Sequence, residues 1–174
     1  MSYEPLWKEI FDKYYDVSYQ ELLVDRLVSR WAHIDIFFRF LIAATASGSA
    51  ISGWAVWSNP ELKIVWSVIS SIAALSSLLY GVIPISQLNK EGTKSHSEFN
   101  ALRVQFDQMI LDFKMDQGGN LDKHRKELAK LTGSAANLWQ KAPRFPFISE
   151  KMKIKSQKDL NAILFSKGMI QEGE

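Results

Sequence analysis

Two long uncharged runs dominate the pattern of apolar and polar positions. Phe40 to Trp57 is 18 residues without a charge, and Ile64 to Leu88 is 25. A six-residue polar link, Ser58-Asn59-Pro60-Glu61-Leu62-Lys63, joins them. A helix crossing the hydrocarbon core of a bilayer needs about 20 apolar residues at 1.5 Å rise each. The pattern therefore predicts an all-α membrane protein built on a two-helix transmembrane hairpin. It occupies residues 36–88, with spans at about 36–57 and 64–88. The first run starts too far into the chain for a secretory leader, which occupies the first 15–30 residues. Core helices of water-soluble bundles have shorter uncharged runs, of roughly 10–14 residues.

Residues 1–35 read as cytosolic or interfacial helices. Leu6, Trp7, Ile10, Phe11 and Tyr14 share one helical face, and Pro5 suits a first turn. Such a helix fits the membrane surface or the side of a cytosolic bundle. Ser18-Tyr19-Gln20-Glu21 has capping-box spacing, so a second helix is expected to start near Tyr19. It then runs unbroken into the first span.

Within the spans, small and hydroxylated residues fall in stripes. Ala44, Gly48 and Ser52 repeat every four residues, beside Thr45 and Ser49. Ser67, Ser70, Ala74, Ser77 and Gly81 form one face of the second run. Such faces let helix backbones approach closely, and their hydroxyls can line a wet cavity without placing a charge in lipid. Thr45, Gly48, Ser49, Ser52, Ser67, Ser70, Ser77 and Gly81 are thus the candidate pore-facing or helix-packing residues. Trp54, Trp57 and Trp66 are of the type found at headgroup level. Pro84 is expected to kink or end the second span.

Residues 89–174 form a polar, charged region expected to be cytosolic and helical. Phe99, Leu102, Phe106, Met109 and Phe113 step by 3, 4, 3, 4, an a/d seam expected to join copies of the chain. Asp116-Gln117-Gly118-Gly119-Asn120 breaks the helix. Leu121, Leu128, Leu131, Ala135 and Leu138 then continue the same period, predicting an antiparallel helical hairpin, or coiled coil. Ala142 to Phe147 is a Pro- and aromatic-rich linker. Ser149 to Phe165 is a lysine-rich helix.

Charge sets the topology. Arg26, Arg30 and Arg39 precede the first span, and Lys90, Lys94 and Arg103 follow the second. The link holds only Lys63, beside Glu61. Short basic flanks stay inside, so both termini are expected in the cytoplasm of a multi-pass protein. A net charge of +2 creates no strong field for nucleic acid. Lys151, Lys153, Lys155 and Lys158 suit either an anionic surface or a solvated face.

Chemistry is sparse. There is no cysteine, and the three histidines, His33, His96 and His124, lie far apart. No metal set, phosphate loop or nucleophile elbow is present, so no cofactor, metal or enzyme activity is expected. Arg26 and His33 have six residues between them, within the Arg-x4–6-His spacing of HEPN-type ribonucleases. That spacing is too permissive to carry an assignment, and the pair sits among Arg26, Arg30, His33 and Arg39 as juxtamembrane residues.

The layout, with Arg30-Trp31-Ala32-His33 entering a first span, a short turn, a second span and a long helix from Gln87, resembles the SLATT family. These are two-span membrane domains encoded with bacterial nucleotide-signalling antiphage systems. The resemblance covers most of residues 19–140. It implies a homo-oligomeric effector that permeabilises the inner membrane. It also implies a trigger from the cytosol, a nucleotide second messenger or a sensor protein. This chain departs from the family in having no appended ligand-binding domain. Two other readings fit the hairpin: a membrane-anchored adaptor that recruits a defence protein or nuclease, and a holin-like lysis protein.

Overall fold

The computed structural model describes residues 3–55, 60–116, 120–142 and 148–170, without the side chains of 45–55, 60–63 and 66. Among these residues the chain is all α-helical. It forms α1 (Tyr3–Ala55), α2 (Pro60–Val82), α3 (Ile85–Met115), α4 (Leu121–Lys141) and α5 (Glu150–Ser166). The helices divide into two compact units, one of Met1–Val28 with Lys90–Glu174 and one of Ser29–Asn89. The segments expected as separate cytosolic pieces, 1–35 and 89–174, thus contribute to one discontinuous unit.

That unit packs α1, α3, α4 and α5 around one apolar centre. α3 supplies Phe99, Leu102, Phe106, Met109 and Phe113, each at most 3% exposed. α1 adds Leu6, Ile10, Tyr14, Val17, Val24 and Leu27; α4 adds Leu128, Leu131 and Ala135; α5 adds Leu160 and Leu164. The five-residue seam of α3 is therefore filled by the chain's own helices. This corrects the expectation that it joins copies, because a seam already desolvated from within has no surface left to offer.

The N-terminal segment belongs to this core. Tyr3 stacks on Phe113 at 4.5 Å between ring centroids, and Trp7 lies parallel to the same ring at 6.0 Å. Lys114 sits over the Trp7 ring at 5.4 Å. Of the two placements open to residues 4–15, the structure shows the one packed on the bundle.

No new helix starts at Tyr19. α1 is unbroken from Tyr3 to Ala55, and Ser18 is 2% exposed with a hydroxyl that finds no partner. A capping box acts only where the serine backbone leaves the helical region. Here Val17, Val24 and Leu27 must all face the core, and a break at Ser18 would misphase them.

True caps lie elsewhere. The Asn120 side chain accepts from the Lys123 amide at the start of α4. Ser149 does the same from Met152 at the start of α5. The Gly118-Gly119 turn and the linker at 143–147 lie outside the described residues.

Ion pairs tie the helices at the rim. Arg26 of α1 pairs with Asp159 of α5. Arg103 of α3 pairs with Glu21 of α1 and, at 2.9 Å, with Asp107. Burial acts most strongly on Arg103, pulling its pKa down, yet Glu21 and Asp107 together leave it raised. Lys167 donates to the Tyr14 hydroxyl and to Asp107, both at 2.9 Å. Burial again opposes the charge most, and the two bonds outweigh it, raising the pKa.

Two outcomes test this packing. Phe106 is fully buried and Val104, on the same helix, is 55% exposed. Phe106→Ala should cost about 3–5 kcal/mol in denaturant unfolding, and Val104→Ala within about 0.5 kcal/mol. Lys167 gains its partners on folding, so its contribution is full below the ordinary lysine range. It is lost as pH rises through the raised folded value. Lys167→Met should lower stability at neutral pH by under about 1 kcal/mol, since the ammonium is partly screened. The gap to wild type should close in strong alkali, read by melting temperature against pH.

Candidate functional site: the apolar hairpin and its polar clasp

The second unit, Ser29–Asn89, pairs the latter part of α1 with α2. α1 and α2 run antiparallel, because Asp35, Phe38 and Arg39 of α1 all meet Tyr80 of α2, far in sequence from the link. The Tyr80 hydroxyl donates to Asp35 Oδ1 at 2.8 Å. Arg39 Nε donates to the Tyr80 oxygen at 3.3 Å and pairs with Asp35 Oδ2 at 3.0 Å. The Phe38 ring lies 6.0 Å from the Tyr80 ring. Asp35 is only 13% exposed in its side chain, so one carboxylate, one phenol and one guanidinium form a clasp between the two helices.

Reading the sequence missed this clasp. Asp35 and Tyr80 lie 45 residues apart, and Tyr80 by its position suits either an interface or a neighbouring helix. The available signal was an ionisable residue at the edge of an apolar run, which pairs with another polar group wherever water is scarce.

The rest of α2 turns its apolar residues outward. Val65, Val68, Ile72, Leu75, Leu78, Leu79 and Val82 are each more than half exposed. On α1, Ile36, Phe37 and Phe40 are 62–72% exposed. Among the described side chains of α2, Ala73 and Ser76 alone are buried, seven and four residues before Tyr80 and so on its face. This inner face differs from the stripe read from sequence. Ser67, Ser70, Ser77 and Gly81 are exposed, so they do not pack within the hairpin. An added Cβ at Gly81 would meet nothing within 4 Å. The side chains of Thr45, Gly48, Ser49 and Ser52, and those of Trp54, Trp57 and Trp66, lie outside the described residues.

The four residues expected beside a membrane, Arg26, Arg30, His33 and Arg39, are dispersed. Arg26 is committed to Asp159, and Arg39 belongs to the clasp. Arg30 is exposed. His33 Nδ1 lies 2.6 Å from the Ser29 carbonyl oxygen of its own helix, where it donates. Among the described residues no three His, Asp or Glu side chains gather as a metal set.

Pro84 ends α2 as expected. α2 stops at Val82 and α3 begins at Ile85, with the Ile85 amide donating to the Ile83 carbonyl across the break at 2.8 Å. Among the described residues no single helix is long and apolar enough to cross a membrane. Ser67–Val82 and Ile85–Met115 meet that requirement only as a broken pair.

The clasp makes a direct prediction. Tyr80→Phe removes the donor to Asp35 and should loosen the hairpin by about 1 kcal/mol, seen as roughly fivefold faster amide exchange around residues 76–82. Asp35→Ala strips Arg39 of its carboxylate as well and should loosen it further. Asp35→Asn keeps an acceptor and should fall between wild type and Asp35→Ala.

Comparison with known proteins finds no matching family model, no matching curated relative and no matching solved structure.

Proposed function

We propose that the chain is an inner-membrane protein whose hairpin lies in lipid and whose copies assemble into a pore or membrane-disrupting effector, triggered from the cytosol. One observation carries the membrane step: the outward apolar surface of α2 and the adjoining part of α1. Contiguous apolar patches beyond a few hundred Å² are rare on water-soluble monomers and mark membrane or partner contacts. Helical backbone inside such a hairpin satisfies its own hydrogen bonds, the first requirement in lipid.

The assembly step rests on the serine face. Two helices cannot enclose an aqueous path, so a pore needs several copies. Ser67, Ser70, Ser77 and Gly81 are exposed beside the apolar surface. An outward face of this kind can meet neighbouring copies or border water, and it costs far less in lipid than a charge. The antiphage role, and the nucleotide or sensor partner, follow from the resemblance to two-span SLATT domains. They need a cytosolic trigger, for which the α1–α3–α4–α5 unit is the available surface. A simple anchor would have no use for an outward hydroxylated face, which weighs against the adaptor reading.

The test exploits the open space at these positions. Ser70→Leu and Gly81→Leu should leave the hairpin folded, since nothing in the chain crowds Gly81. They should abolish dye uptake and membrane depolarisation in cells expressing the chain with its genomic neighbours. Wild-type leakage in both variants would remove the serine face from the proposal. A membrane that stays sealed even with the unaltered chain would favour an adaptor.

A further inference from the structure

With its first seam buried, α3 carries a second one on the opposite side. Ala101, Val104, Gln108, Leu111 and Met115 step by 3, 4, 3, 4 and are all exposed. Val104 is 55%, Leu111 50% and Met115 71% exposed. The seam is displaced by two residues from the buried one, about 200° around the helix at 3.6 residues per turn. Core packing does not require that periodicity, because the bundle already lies on the other face. Ala101 and Gln105 also border an open groove against Ser134, Asn137 and Leu138 of α4, of about 350 Å³.

We infer that this outward seam of α3 is a second contact between copies, outside the hairpin, and that two copies pair through it antiparallel. The inference rests on the oligomeric reading proposed above and names its interface. Charge sets the direction, as flanking residues do in coiled coils. In a parallel pair Asp107 of one copy would flank Asp112 of the other, carboxylate against carboxylate. In the antiparallel register that opposes Val104 to Met115 and Gln108 to Leu111, Asp107 meets Lys114 of the second copy. Gln105 there meets Asp112. Each contact occurs twice by symmetry.

The groups remain able to serve. Asp107 already accepts from Arg103 and Lys167, but a carboxylate has about four acceptor sites. Lys114 lies over Trp7 without a carboxylate among its described contacts. Gln108, which donates to Asp112 at 3.1 Å within the chain, is the polar member that penalises other registers.

Four core layers are few. A stable interface in free solution buries about 800 Å² per partner, and this seam is shorter. It suits copies held in one membrane, where confinement raises their effective concentration.

The chain has no cysteine, so reporter thiols can be placed singly in the full-length protein in its membrane. Val104→Cys and Met115→Cys lie at exposed sites and should not disturb the fold. In the antiparallel register each residue is about 16 Å along the axis from its own counterpart and level with the other. Oxidation should therefore link chains carrying Val104→Cys to chains carrying Met115→Cys, and link neither variant to itself. Leu111→Glu should reduce that product at least tenfold without lowering the melting temperature.

Self-linking of the single variants would show a parallel pair and overturn the register. No product, with wild-type chains still oligomeric by native mass spectrometry from the same membranes, would overturn this seam and leave the oligomeric reading standing. No product with monomeric wild-type chains would overturn both. Shielding of both thiols from a water-soluble maleimide in monomeric chains would put lipid on this face, and the inference would fall.

Discussion

The burial of one 3-4 seam of α3 decides most of what this protein can do. Phe99, Phe106 and Phe113 are three of the largest fully buried side chains, with Tyr14 beside them. Each aromatic ring removes on the order of 150–250 Å² from water, so the chain spends its strongest apolar face on its own core. Three helices are bound by that choice. α1 is drawn in from its first turns, as the Tyr3 and Trp7 stacks on Phe113 show. α4 closes the other side with Leu128, Leu131 and Ala135, and α5 adds Leu160 and Leu164. Any contact between copies must then use a different surface.

The hairpin obeys a different constraint. Among its described residues the outer side chains are apolar and exposed, and the buried ones on α2 are small: Ala73 and Ser76. With so little to interdigitate, orientation falls to the Asp35–Tyr80–Arg39 clasp. Polar bonds are directional, and in surroundings poor in water their loss is not repaid by solvent. The Tyr80 phenol thus gives the pairing of the two helices a directional contact.

The two units solve opposite problems. One has apolar residues enough to satisfy itself and turns lysines and carboxylates to water. The other leaves its apolar surface open and its hydroxyls beside it. The proposed function rests on that division: in it the bundle would supply a surface for a signal, and the open apolar hairpin a surface for lipid.

Much of this was legible from residue order alone. The uncharged runs, Pro84 and the lysine-rich stretch from Ser149 placed helices, because helix ends and apolar runs are local properties of the backbone and its nearest side chains. The α3 seam was legible as a seam. Its partner was not, because periodicity shows that a face is apolar and not what covers it. The same limit explains Ser18, whose capping pattern yields to three core contacts, and the serine stripe of α2, whose phase is small on one face while Ala73 and Ser76 pack on another. Asp35, Tyr80 and Arg39 are separated by up to 45 residues, and only folding brings them within hydrogen-bond reach. Sequence by itself determined that the chain is helical and which of its faces are apolar. Tertiary structure alone decided which of those faces the chain keeps for itself, because burial is a property of pairs of surfaces and a sequence pattern describes one surface at a time.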